Sequence, residues 1–308
     1  MHSVISLENS NLKANILPMG ATLTGLWNVN DLRSLVLGFD DTDTYSHTDF
    51  YAGAIVGPVA NRLSNGRVVI DGNEYQLPQN EGVNTLHSGP DGLHRRIWNV
   101  ETVTQTSVTL SCTLANGECG LPGVRVITAH YSLTGRVLQL HMTATSDRTT
   151  LMNLVHHPYW AMDDKARLQV TSSQVLEVES SNLPTGKLDG VEGTLFDLRN
   201  PSPVHKSLDH CFVLSTQRRD TVEFAAELTM PHYKLQIKTD APGLQVYAGA
   251  WLPKITGEQT QGWPIAPYSG VALEPQFWPD APAHSHFPTI LLPNQHQWEQ
   301  MTQYVLEF

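Results

Sequence analysis

Apolar and polar residues alternate with a period of two along much of the chain, and a helical period hardly appears. Val108, Leu110, Cys112 and Leu114 alternate with Thr109, Ser111 and Thr113. Leu138, Leu140 and Met142 do so against Gln139, His141 and Thr143, and Tyr233, Leu235 and Ile237 against Lys234, Gln236 and Lys238. Successive side chains of a strand point to opposite faces, so each run predicts a strand with one buried face. Turn signals separate the runs: Ser64-Asn65-Gly66, Asn116-Gly117, Leu121-Pro122-Gly123, Thr134-Gly135 and Ala241-Pro242-Gly243. Arg67 to Leu77 predicts a hairpin about Asp71-Gly72. The 19 prolines are scattered and would break most long helices.

Strand after strand joined by short turns predicts an all-β protein, an antiparallel β-sandwich or barrel. No linker, charge block, repeat or low-complexity tract divides the 308 residues, so residues 1–308 are expected to form one domain. Charged residues make up 16% and hydrophobic residues 40%, the balance of a soluble globular chain. The formal charge of −11 argues against a nucleic-acid partner, which calls for a basic face. Cys112, Cys119 and Cys211 are odd in number and lack CxxC spacing, which predicts buried thiols rather than a disulfide framework or a zinc ribbon. MHSVISLENSNLKANILP lacks the basic and apolar segments of a secretory signal, and no apolar run approaches a membrane span; a cytoplasmic protein without a membrane partner is expected.

Several familiar chemistries have no support. There is no GxGxxG after a strand, no P-loop, no GxSxG elbow and no HExxH. His156-His157 and His284-Ser285-His286 raise the question of a metal, but neither pair has a visible third ligand, and no metal is expected.

Four segments mix polar and aromatic residues in a way that a plain β-core does not require. They are Gly57 to Leu63 with Asn84 to Gly89, Asn153 to Trp160, Leu208 to Leu214, and Ala272 to Asp280. Together with Gly20-Ala21-Thr22 they form an ordered set. It holds Asn61-Arg62 ahead of the hairpin, Leu86-His87 with Gly89, His157 to Tyr159, Asp209-His210 ahead of Phe212-Val213-Leu214, and Leu273-Glu274 with Gln276. In this order and spacing, from about residue 20 to 295, the chain resembles the aldose 1-epimerases, or galactose mutarotases.

The resemblance implies a large antiparallel β-sandwich with an open cleft for a monosaccharide. Position by position, it makes His157 the general acid and Glu274 the general base, with Arg62, His87 and Asp209 as sugar-binding residues. Asn61 and Gln245 are added as further pocket contacts. The chemistry agrees: mutarotation removes a proton from the C1 hydroxyl and delivers one to the ring oxygen, and an imidazole and a carboxylate suit both steps. No electrons move, so no cofactor is expected. Sugar hydroxyls both donate and accept, which suits Asp209 set beside Arg62 and His87. Trp160 and Trp278 are candidate stacking platforms. Apart from the resemblance, Glu274 in its apolar stretch would read as a structural ion-pair partner of Arg62.

The chain departs from the common pattern in having Gly57-Pro58 before Asn61-Arg62, His156-His157-Pro158-Tyr159-Trp160 around the acid, and Pro275 within the Leu273 to Gln276 motif. His156 adds an imidazole beside the acid, which would suit a sugar with an anionic substituent such as sulfoquinovose or a hexose 6-phosphate. Arg62, His156, Arg95 and Arg96 are the candidates to meet it. The alternatives to a hexose mutarotase are therefore a mutarotase for an anionic sugar and a non-catalytic carbohydrate-binding protein on the same fold. A pure binder has no need of His157 and Glu274 together. An accessory domain of a polysaccharide-degrading enzyme would need a further catalytic domain, for which the chain has no room. The expected partner is a monosaccharide, bound by a monomer or homodimer.

Overall fold

Antiparallel pairing joins almost every strand of the computed structural model, which describes residues 3–48, 50–255 and 260–308. The alternating runs of the sequence form the centre of a nine-stranded sheet. From one edge its strands are Ser202–Pro203, Arg167–Val170, Glu223–Thr229, Lys234–Thr239, Gln297–Glu307, Val137–Ser146, Arg125–Thr134, Ser107–Leu114 and Asn99–Val103. In Ser107–Leu114 burial follows the alternation, with Val108, Leu110, Cys112 and Leu114 inside. The hairpin forms as expected, Arg67–Ile70 against Asn73–Gln76. Among the described residues helix is confined to short 3-10 turns, and no helix is long and apolar enough to cross a membrane.

A six-stranded sheet runs Tyr159–Ala161, Gly270–Gln276, Gly243–Tyr247, Asp209–Val213, Gln174–Val178 and Pro184–Gly190. Its apolar positions, among them Phe212, Leu244, Val246 and Leu273, share one cluster of buried side chains with Leu140, Met142, Leu235, Ile237 and Tyr304 of the larger sheet. This is the two-layer arrangement of a β-sandwich. Gly270–Gln276 is buried at every position because both of its faces are covered. The alternate positions on the second face, Glu274, Gln245, Tyr247 and Asp209, are the polar ones. Gln245 pairs directly with Glu274, and Tyr247 with Asp209. Directly paired residues lie on the same face, so the register alone brings these four together. All three cysteines are free and buried, as expected of small apolar residues.

Trp160 and Trp278 are 0% and 1% exposed. Trp160 packs on Tyr304 and Trp278 edge-on to Phe287, so both belong to the core and neither is a stacking platform. His284 and His286 follow a 3-10 turn rather than a strand. Their Nε2 atoms meet the carbonyls of Pro184 and Gly186, at 3.1 and 2.8 Å. Each Nε2–H donates to a carbonyl and is no metal ligand.

Candidate active site

A cavity of about 530 Å³ opens over the polar face of the six-stranded sheet. Of the sequence candidates, Asn61, Arg62, His87, His157, Asp209, Gln245 and Glu274 line it. His156 does not.

His157 sits between the short strands Val155–His156 and Tyr159–Ala161, with Glu274 on the strand beside the latter. The backbone of His157 is fixed on both sides, its carbonyl accepting from the Gly53 N–H (2.9 Å) and its N–H donating to the Ala54 carbonyl (3.0 Å). Gly53 has φ +71°, and a Cβ there would meet the Leu23 carbonyl oxygen at 2.0 Å, so only glycine fits this approach. His157 Nε2 lies 3.5 Å from Glu274 Oε1, with both side chains almost fully buried. Glu274 Oε2 has no hydrogen-bond partner among the described residues. Burial disfavours either charged form. It pushes the Glu274 carboxyl well above the usual carboxylate range, with the Asp209 charge adding to the effect, and lowers His157 to about 4.

His87 follows the strand Thr85–Leu86, which pairs with Arg62–Leu63. Its N–H donates to the Asn61 carbonyl (3.0 Å), while its Nδ1 accepts from the Asn61 N–H (3.1 Å). An imidazole that accepts at Nδ1 carries its proton on Nε2, so His87 is a fixed donor. Burial and the neighbouring imidazoles hold it well below the usual histidine pKa, hence neutral. His87, His157 and Glu274 bring three ligating atoms within 4.8 Å of one another, a spacing of interest for a metal. With one His87 nitrogen accepting and the other protonated, that ring has no lone pair left for an ion.

Arg62 donates through Nε and Nη2 to the two carboxylate oxygens of Glu81, at 2.8 and 2.9 Å, and its Nη1 lies 3.8 Å from Asp209 Oδ2. Its ion-pair partner is therefore Glu81 and not Glu274. Asp209 also accepts from Gln245 Nε2 (2.7 Å) and Asn182 Nδ2 (3.1 Å), which orients its carboxylate. Tyr51, Tyr159 and Tyr247 supply the aromatic walls. Tyr51 packs on His87 at 4.6 Å and on His157 at 5.8 Å between ring centroids, and Tyr159 on His157 at 5.0 Å.

His156, expected as a cation in the pocket, points the other way. Its Nδ1 is 2.9 Å from the Tyr304 hydroxyl, its ring packs edge-on to Tyr131 and Tyr304, and burial lowers its pKa to about 3. Adjacent residues of an extended segment face opposite sides, so at the end of the strand Val155–His156 a His157 side chain in the cavity leaves that of His156 in the core. Arg95 and Arg96 also lie outside the cavity walls. Arg95 donates to the Ser46 carbonyl at 2.7 Å, and Arg96 to Glu118 at 2.9 Å.

Sequence reasoning missed Glu81, Asn182, Tyr51 and Tyr247. Tyr247 was within reach, because it lies two residues after Gln245 and so shares its face. Tyr159 stands in the same relation to His157. Glu81 and Asn182 sit in polar turns with no periodic signal. Only the closure of distant loops over the sheet makes them part of the site.

The aldose 1-epimerase family model matches residues 3–305. Galactose mutarotase from Bos taurus is 33% identical over 316 aligned positions, which cover 96% of this chain and 91% of the relative. Aldose 1-epimerase from Escherichia coli K12 is 29% identical, covering 96% and 92%. The crystal structure of a GalM/aldose epimerase homologue from C. elegans superposes with a TM-score of 0.91 at 30% identity, covering 100% of this chain and 99% of that one.

Proposed function

The chain belongs to the aldose 1-epimerase family of isomerases, and from that premise we propose that it interconverts the α and β anomers of a neutral hexose, with His157 and Glu274 as its proton-transfer pair. The contact that carries this reading is the 3.5 Å approach of His157 Nε2 to Glu274 Oε1 at the floor of a cavity whose other polar groups suit sugar hydroxyls.

Burial favours the uncharged pair, a carboxylic acid facing a neutral imidazole. The pair thus holds one exchangeable proton. A pyranose set between them places its C1 hydroxyl at one group and its ring oxygen at the other. With the proton on His157, Glu274 takes the hydroxyl proton while His157 protonates the ring oxygen. The C1–O5 bond breaks with its electron pair going to O5, the pair released from the O1–H bond forms the C1=O1 of the aldehyde, and rotation about C1–C2 exposes the other face. Ring closure runs the same transfers in reverse, so acid and base exchange roles and the enzyme returns to its starting state. His87, a fixed donor, and Asp209, a fixed acceptor, suit opposite sides of the hydroxyl pattern, and the tyrosine faces suit its C–H face.

The balance of charges favours a neutral sugar over the anionic alternatives. Arg62 is paired by Glu81 and faced by Asp209, while His156, Arg95 and Arg96 have partners elsewhere. The test follows anomeric exchange by NMR in freshly dissolved glucose, galactose, glucose 6-phosphate and sulfoquinovose. Acceleration is expected for a neutral hexose, and its loss in Glu274→Gln and His157→Asn. Sugar binding that persists with no acceleration in the unaltered protein would instead make this a carbohydrate-binding protein, and normal exchange in both variants would remove the pair from the mechanism.

A further inference from the structure

Among the described cavity-lining residues Arg62 is the one Lys or Arg side chain, and its fork is already occupied. A guanidinium presents paired N–H groups that match phosphate, sulfonate or carboxylate, and so would be the natural receptor for an anionic sugar. Here Nε and Nη2 both go to Glu81, which leaves Nη1 facing Asp209. One cation thus stands between two carboxylates, those of Glu81 and Asp209.

Glu81 is held in place by its loop. Its N–H donates to the Asn84 carbonyl at 3.2 Å and its carbonyl accepts from the Asn84 N–H at 3.0 Å, a tight reciprocal turn. Asn80 braces the same loop through two hydrogen bonds to the Leu86 backbone, at 2.8 and 3.1 Å. The Arg62 side chain is only 12% exposed and that of Glu81 36%, so the carboxylate covers the guanidinium from the solvent side. This is a built contact at the mouth of the cavity rather than a stray surface pair.

We infer that Glu81 is the specificity-determining residue of this site: by occupying the Arg62 fork it reserves the cavity for neutral aldoses and repels sugars that carry an anionic group. The inference rests on the mutarotase reading above and adds to it the residue that sets the substrate class. A fixed negative charge within several ångströms of a bound anion at the dielectric of a protein surface, partly screened by salt, changes relative affinity by about tenfold or more.

The test compares glucose with glucose 6-phosphate and glucuronate in the unaltered protein, Glu81→Gln and Glu81→Asp, measuring dissociation constants by calorimetry and anomeric exchange by NMR. The unaltered protein and Glu81→Asp should prefer glucose. Glu81→Gln, which frees the guanidinium charge while keeping the shape, should shift the anionic-to-neutral ratio at least tenfold toward the anion, with glucose binding a few-fold weaker. Equal losses for all three sugars would make Glu81 a mere brace for Arg62 and overturn the proposal, as would tight binding of glucose 6-phosphate by the unaltered protein. Should Glu81→Gln fail to fold, Glu81→Ser carries the same expectation. Binding without catalysed exchange would overturn the proton-transfer reading and leave the ratio to judge Glu81; no binding of any aldose would overturn both.

Discussion

Replacing His156 by Asn should make the protein more tolerant of acid. His156 is 2% exposed, bonds through Nδ1 to the Tyr304 hydroxyl, and titrates near 3 in the fold because burial, and next the neighbouring His157, oppose its charged form. An unfolded chain protonates its histidines near 6.5. The folded pKa is thus depressed, so the unfolded state binds the proton first, and stability present above about pH 6.5 is lost as pH falls toward 3. At pH 5 the gap is about 1.5 pH units, which amounts to roughly 2 kcal/mol from this residue alone. Against a typical total of about 5–15 kcal/mol that loss is large. Asn can place an acceptor oxygen where Nδ1 lies, but it cannot titrate. Urea unfolding of both proteins at pH 7.5, 6, 5 and 4 measures the difference. His156→Asn starts level or slightly less stable, since the smaller side chain leaves a void, and gains about 2 kcal/mol relative to the parent by pH 5. Parallel curves would show that His156 is no buried neutral imidazole, and the account of its place in the core would fall.

Rate against pH should be bell-shaped, with both limbs set by this pair. On the acid side kcat/KM falls near pH 4, where His157 gains a proton while Glu274 still holds its own and no base remains; on the alkaline side it falls above the raised Glu274 value, where the pair has no proton to give. Asp209→Asn removes a charge that raises Glu274, so its alkaline limb should move to lower pH while KM rises about tenfold to a hundredfold through a lost charged hydrogen bond. Glu274→Gln or His157→Asn should lower kcat by about 10² to 10⁴ with thermal melting still cooperative. Gly53→Ala should lower both melting temperature and kcat, because a Cβ drives against the Leu23 carbonyl and shifts the backbone that holds His157; a destabilisation below about 1 kcal/mol would refute that. Trp278→Ala should cost about 3–5 kcal/mol as a core truncation, whereas a platform residue would mainly weaken sugar binding.

The sequence by itself determined the strand content. Period-two runs such as Val108 to Leu114 can bury apolar side chains only as half-buried strands, and Asp71-Gly72 can close its hairpin without strain. The ordered motifs also singled out His157 and Glu274, because acid–base chemistry restricts the residue types that serve. Only the tertiary structure decided which way the side chains face and which partner each one takes. Extended backbone turns adjacent residues to opposite sides, so His157 enters the cavity while His156, which the sequence reading set beside it, enters the core. The partner of Arg62 rested on loop closure rather than on charge. Glu274 and Glu81 were equally able to pair with it, and the turn at Asn80 to Asn84 put Glu81 within reach. Periodicity is a local property of the chain, whereas a site is assembled from long-range register and loop geometry, which local pattern does not encode.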